Sequence, residues 1–375
     1  MIRNNDRISN YQLAMVIITT SIGIGIFSLP SDVVQYAGTD SWLIVLLSGL
    51  LNAVIAMLMV KLCAMFPQKS FPEYSRIILG KFLGNLVTAI FALLSIYSAG
   101  LVLRSFTEIL NLFIMFRTPA IVIMVTFMLV CAYLVKGGVE VIGRFLEIIF
   151  LLLFLPFGIL ILLGLRQADM TNLLPILYHF PQNMTHIVPM ILFSLGGYQV
   201  TLYFAAYLKN PAKAYRSVVL AVAFTALFTA FAVGACVAKF GTKLTAQMTW
   251  PLIHFIRGSN VTGIFMESLD GVLILLWTFL VFTTIVTNYY IASLSASKIF
   301  HINMQRKLVI PIGILIILAA LSVQNISHLF DRLRGARMAE VLVLIDAIPI
   351  LLFLVAKVRR LGGGEVNDGQ AKRSH

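Results

Sequence analysis

The residues with most chemical potential are glycines placed where an apolar helix gains nothing from them. Ser21-Ile-Gly-Ile-Gly-Ile-Phe-Ser-Leu-Pro30 puts Gly23 and Gly25 inside an apolar run, with Pro30 a turn later. Phe193-Ser-Leu-Gly-Gly-Tyr-Gln199 puts Gly196 and Gly197 inside another. A helix broken at membrane depth leaves N–H and C=O groups that hydrocarbon cannot satisfy, so they need a polar ligand, an ion or water. A half-helix starting near Ile26 would aim its positive N-terminal end at a carboxylate. Carbonyls around Thr20–Gly23 and Phe193–Leu195 would receive an ammonium group. That arrangement suits a zwitterionic amino acid, and glycine keeps the space beside the backbone open. The plainer alternative for each glycine is close helix packing.

Charged and hydroxyl side chains add candidates. Arg104 and Glu108 stand i,i+4 in the third apolar run and share a helical face. They read either as a structural ion pair or as a functional pair in which Glu108 lines a polar path or senses a cation. Tyr97 and Ser98 precede them by about two turns, at the level of a midplane pocket. The eighth run carries Thr283, Thr284, Thr287, Asn288, Tyr289 and Tyr290. If this run faces the broken first helix, Thr284, Thr287 and Tyr290 are ligand contacts; otherwise the hydroxyls bond carbonyls of their own helix. Asp346 lies in the tenth run with no partner nameable from sequence. Cys63, Cys131 and Cys236 lie in apolar runs without metal or disulfide spacing, and the six histidines form no ligand pattern. There is no phosphate-binding loop, nucleophile elbow or H-E-x-x-H motif. No catalytic residue, metal or cofactor is expected, and the chain does not read as an enzyme.

The elements that must position these residues follow from composition. Of 375 residues 60% are hydrophobic and 11% charged, with mean hydropathy +0.96. Soluble chains are about 45–50% apolar and about 25% charged. That excludes an ordinary cytosolic enzyme, a disordered chain and a nucleic-acid-binding domain. Apolar runs predict ten transmembrane helices over about 11–37, 42–65, 86–113, 119–136, 145–165, 187–207, 218–239, 268–299, 308–324 and 338–357. The first run lacks a cleavage site and is expected to be retained. The eighth is long enough to require tilt. Between the second and third, Ile77, Ile78, Phe82 and Leu83 alternate with Arg76 and Lys81. That pattern predicts a short interfacial helix.

The two glycine breaks stand five helices apart, so the sixth helix runs opposite to the first. This is the pattern of a LeuT-like 5+5 inverted repeat with broken helices 1 and 6. The expected fold class is all-α and polytopic: a single membrane domain over 1–375. Its first repeat covers about 11–165, its second about 187–357, and a cytoplasmic polar tail covers 358–375. The net charge is +13. Here it reads as a topology signal beside anionic membrane lipid rather than as nucleic-acid binding. With the N-terminus inside, 19 basic residues fall on the cytoplasmic side and 8 outside, with Arg104 in a span. Both termini are expected to be cytoplasmic; Arg332, Arg334 and Arg337, grouped outside, run against that trend. Sequons at Asn183, Asn260 and Asn325 fall in outer loops and matter only in a secretory-pathway host.

Several stretches carry a family resemblance. Ile8-Ser-Asn-Tyr-Gln12, Gly23-Ile-Gly-Ile-Phe-Ser-Leu-Pro-Ser-Asp32 and Ala37-Gly-Thr-Asp-Ser-Trp42 resemble the start of the spore germination permease family. Phe71-Pro-Glu-Tyr-Ser75, Gly196-Gly-Tyr198, Leu208-Lys-Asn-Pro-Ala-Lys213 and Trp250-Pro251 extend the likeness nearly end to end. These are the B subunits of GerA-type nutrient germinant receptors, within the amino acid–polyamine–organocation superfamily. The resemblance implies a receptor subunit of the bacterial spore inner membrane, assembled with an A-type and a lipoprotein C-type subunit. Its implied task is to bind a small nutrient, often an amino acid, and to help release dormancy through ion efflux. Carried over position by position, Gly25, Tyr97, Gly196, Gly197 and Thr287 would form the pocket. The alternative is a working amino acid permease of the same fold. The chain departs from sodium- or proton-coupled relatives in having no mid-span lysine in helix five.

Overall fold

The structure, a computed structural model, describes residues 6–177, 195–209, 211, 214–258, 266–302, 304–323 and 336–361. Among these the regular elements are helical, with one isolated parallel bridge between Ile8 and Leu208. The first span is broken as expected. Helix α1 (Asn10–Ser21) stops at Ile22, a 3-10 turn covers Ile24–Phe27, and α2 (Leu29–Ala37) resumes with Pro30 in its first turn. Proline suits that place because the N–H it lacks has no intrahelical partner there. A reciprocal cap opens α1: Gln12 N donates to Ser9 Oγ and Ser9 N to Gln12 Oε1, both at 3.0 Å.

The next spans are α3 (Ser41–Met65), α5 (Lys81–Phe113), α6 (Ala120–Gly137) and α7 (Val139–Gly164). The predicted interfacial helix is present only in part: α4 (Phe71–Leu79), capped by Ser70 and Glu73, holds Arg76, Ile77 and Ile78, whereas Lys81, Phe82 and Leu83 belong to the first turn of α5, because Gly80 ends α4. In the sixth run, residues 187–194 lie outside the described residues. Beyond them come a 3-10 turn Tyr198–Val200, the short α8 (Thr201–Phe204) and a second 3-10 turn, Ala205–Tyr207. The remainder is α9 (Ala214–Gln247), kinked at Gly241, then α10 (Pro251–Arg257), α11 (Met266–Ile299), α12 (Arg306–Leu321) and α13 (Ala336–Val358). Among the described residues, six segments are long and apolar enough to cross a membrane: Leu29–Met65, Lys81–Asn111, Ala120–Gly137, Val139–Gln167, Ala214–Gln247 and Ile274–Ile299.

The helices pack through small residues and show lipid their large ones. Gly49 of α3 lies against Ala226 of α9, and Gly100 of α5 against Ala319 and Ala320 of α12. Without a hydrophobic drive between helices in lipid, such close approach supplies the attraction. Leu50, Leu93, Leu129, Ile148 and Leu155 meanwhile stand exposed on the outer faces. At the centre α1 touches α7, α9, α11 and the sixth-run turn. The break in α1 is therefore enclosed by helices from both halves of the chain.

Candidate ligand-binding site

Two close approaches build the site. Gly23 is buried, and a Cβ there would lie 2.5 Å from Thr284 Oγ1 and 3.4 Å from the Thr20 carbonyl. No side chain fits between α1 and α11 at this level. Gly197 has φ +129° and ψ −28°, and a Cβ would lie 2.6 Å from Ser21 Cα and 2.7 Å from Ser21 N. Glycine is required there twice over, by its backbone conformation and by contact with the other broken helix. Its N–H is taken by Gln199 Oε1 at 2.6 Å. The sixth-run turn and the end of α1 thus meet backbone to backbone.

Gly25 is different. It is exposed, and nothing lies within 4 Å of where its Cβ would stand. Ile26 beside it is buried in the core. The unwound segment therefore has one glycine wedged against α11 and another opening on free space. Gly196 is half-buried.

Helix α11 presents its hydroxyls to α1. Thr20 Oγ1 donates to Thr287 Oγ1 at 3.1 Å, and Thr283 Oγ1 lies 3.3 Å from the Thr19 carbonyl. The threonines that face α1 also bond carbonyls of their own helix. Thr283 and Thr284 bond the Leu280 carbonyl, and Thr287 that of Thr283. Thr283 and Thr287 also reach the end of α1. Tyr290 lies lower, its hydroxyl 3.3 Å from that of Tyr207 and its ring against Phe204.

Other expected residues stand apart from this cluster. Tyr97 packs with Leu101 and Val323, just past the end of α12. Ser98 beside it is half-buried. Arg104 and Glu108 form the expected i,i+4 ion pair, with 13% and 21% of their side chains exposed. Asp346 gains a partner that sequence could not supply. Tyr198 Oη lies 2.8 Å from Asp346 Oδ1 and 3.2 Å from Asn52 Oδ1. Asn52 and Tyr198 were visible only as lone polar residues, one in the second run and one just after the glycine pair. No cluster of His, Cys, Asp and Glu capable of holding a metal occurs among the described residues.

Similarity to known proteins agrees with this arrangement. The spore germination protein "YndE" of Bacillus subtilis (strain 168) is 26% identical over 366 residues, 96% of this chain and 99% of its own length. The fold is that of MHP1, a nucleobase-cation-symport-1 family transporter. The TM-score is 0.73 at 13% identity, over 96% of this chain and 81% of that one. MhsT, solved in complex with L-phenylalanine, aligns with TM-score 0.64 at 12% identity, over 95% of this chain and 99% of that one. The chain is an all-helical membrane protein with the LeuT-like transporter fold. The model for the family Spore_permease, described as "Spore germination protein", matches residues 7–327, and the chain belongs to that family.

Proposed function

We propose that this chain is the B subunit of a spore nutrient germinant receptor, and that it binds a small nutrient, an amino acid, at the broken first helix. The observation that carries this reading is the open space at Gly25 beside an unwound backbone, with Gly23 fixed against Thr284. Free N–H groups at the start of the 3-10 turn suit the carboxylate, while carbonyls at the end of α1 and the Thr284 and Thr287 hydroxyls suit the ammonium group. Gly23, Gly25, Ile26, Gly196, Gly197, Thr284 and Thr287 form the site. Tyr97, Ser98 and Tyr290 flank it, and Arg104–Glu108 lies outward on a polar path used after binding. The subunit has ten spans and cytoplasmic termini, lies in the spore inner membrane, and acts with A-type and lipoprotein C-type subunits. Thermal-shift screening of the purified protein against amino acids, sugars and nucleosides tests the reading. Stabilisation by one class that Gly25→Leu abolishes supports it; stabilisation that survives Gly25→Leu refutes the site.

A second reading, an amino acid permease, is favoured by the fold shared with MhsT, a protein solved with L-phenylalanine bound. Flanking genes for A- and C-type subunits support the receptor. Substrate accumulation by vesicles holding this chain alone supports the permease.

A further inference from the structure

Three parts of the chain meet at one phenol. Tyr198 comes directly after Gly197, is 1% exposed, and has its hydroxyl within hydrogen-bond distance of Asp346 on α13 and Asn52 on α3. Asp346 and Asn52 are themselves buried. Both atoms facing the hydroxyl are acceptors, and a phenol has one proton to give. Asn52 Nδ2, a donor, is buried without a hydrogen-bond partner among the described residues. The cluster holds one proton between three oxygens, with an unused N–H₂ beside it.

Two arrangements satisfy all three groups. In the first, Asp346 carries a proton and donates it to Tyr198 Oη, and Tyr198 donates to Asn52 Oδ1. In the second, Asp346 is ionised and accepts from Tyr198, while the Asn52 amide turns so that Nδ2 donates to the phenol. Amide orientation is set by such networks, so both are open to the same heavy-atom positions. They differ by one proton and by the direction of the hydrogen-bond chain.

The surroundings offer no fixed charge to settle the matter. On α3, Lys61 and Cys63 lie nine or more residues beyond Asn52, about 13 Å or more along the axis. On α4, Glu73 is bound to Lys298, Arg76 to Asn85 and the Lys298 carbonyl, and the Tyr74 hydroxyl lies by Cys63 and the Leu202 carbonyl. On α5, Lys81 is the first residue, Tyr97 faces Val323, and Arg104 is paired with Glu108. Of the sixth-run tyrosines other than Tyr198, Tyr203 takes Ser295 and Tyr207 takes Tyr290. On α13, the side chains of Arg337 and Glu340 lie outside the described residues. Lys357, Arg359 and Arg360 stand at its far end, where Arg359 bonds the Ile78 carbonyl. Among the described residues no cation faces the carboxyl. An ionised group with neutral partners only is costly at this depth, and the neutral acid is not.

We propose that Asp346, Tyr198 and Asn52 form a proton-binding site inside the membrane, whose occupancy is passed through Tyr198 to the break in the sixth span. The proton comes from water and returns to water, and no other bond changes. Transmission is short: the residue before Tyr198 rests on the Ser21 backbone, at a φ that glycine alone adopts readily. A change in the strength and direction of the phenol's hydrogen bonds is therefore felt one residue from the contact between the sixth-run turn and the end of α1. This site is separate from the proposed nutrient pocket, and either can fail without the other.

The test is a pH titration of the full chain in lipid vesicles by difference infrared spectroscopy. The wild type should show a protonated-carboxyl C=O band that is lost as pH rises and is absent in Asp346→Asn. Tyr198→Phe should keep the band at a shifted frequency, because the acid loses its hydrogen-bond partner. In a cysteine-free background, the thiol-labelling rate of Ser21→Cys should change with the same midpoint as the band, and become independent of pH when Asp346→Asn is added. A wild type with no titrating acid band, or a band unchanged in Asp346→Asn, overturns the proton site. Because the wild-type titration stands alone, a misfolded variant does not rescue the idea. A titrating band with pH-independent labelling at Ser21→Cys overturns the transmission.

Discussion

At the scale of single residues the two glycines of the first break should behave in opposite ways. A Cβ at Gly23 meets Thr284 Oγ1, so Gly23→Ala must push α1 and α11 apart, at a cost of about 1–3 kcal/mol. Adding Thr284→Ala removes the obstructing atom. The double variant should recover most of the lost thermal stability in detergent, and strict additivity would show that the contact is not the cause. At Gly25 an added Cβ has nothing within 4 Å, so unliganded Gly25→Leu should melt near the wild-type temperature while its stabilisation by nutrient is lost. Glu108→Gln keeps shape but removes the charge that Arg104 faces, so abundance has to be measured first. At wild-type abundance, affinity should hold and nutrient-triggered ion release should fall; unchanged release assigns the pair to structure. The sequence made the glycines legible because two interruptions, five helices apart, are more than close packing alone would call for. It could not separate a wedged Gly23 from an open Gly25, since that depends on Thr284, which lies far along the chain.

At the scale of elements, α4 is a strap tied to the end of α11. Glu73 Oε1 accepts from Lys298 Nζ at 2.6 Å, and Arg76 Nη2 donates to the Lys298 carbonyl at 2.6 Å. Burial pushes the Glu73 carboxyl up, but hydrogen bonds from Lys298 and Ser70 outweigh it and hold the group below its ordinary range. Such a group stabilises above its unfolded-state value and loses that contribution as pH falls through the folded one. Asp6 runs the other way: burial first, and the nearby Glu140 charge, raise it despite a hydrogen bond from Glu140 N. Its contribution is lost as pH rises through the folded value. The two carboxyls therefore bias stability in opposite directions as pH changes. The Glu73–Lys298 pair is about one-third exposed, so it is worth at most about 1 kcal/mol. Amide exchange within 71–79 should rise by no more than about fivefold in Glu73→Gln; no rise would show that Arg76 alone holds the strap. The α4 helix was legible from its amphipathic spacing, whereas its partner Lys298 was not, because the pairing joins distant segments. The same limit hid the packing of Tyr97, whose neighbour Val323 lies just past α12.

At the scale of the whole molecule, hydropathy and paired breaks were enough to read an all-helical transporter fold, because lipid allows few alternatives. Orientation is open to direct measurement. Single cysteines at Lys69 and Arg166, both exposed, should label from opposite sides of the membrane, with Lys69→Cys protected from an impermeant reagent in intact cells. Labelling of both from outside would overturn the topology. One seam also constrains biosynthesis. Ile8 N donates to the Tyr207 carbonyl at 3.0 Å and Lys209 N to the Ile8 carbonyl at 3.1 Å, so the segment before α1 is stitched to the end of the sixth run. A ribosome releases Ile8 long before it has made Lys209, and loop closure across that separation is slow. Asp6 can meet Glu140 earlier, but the Ile8 backbone must wait for these two partners until more than half the chain has been made. The start of the chain is therefore fastened in stages, each set by how far translation has gone.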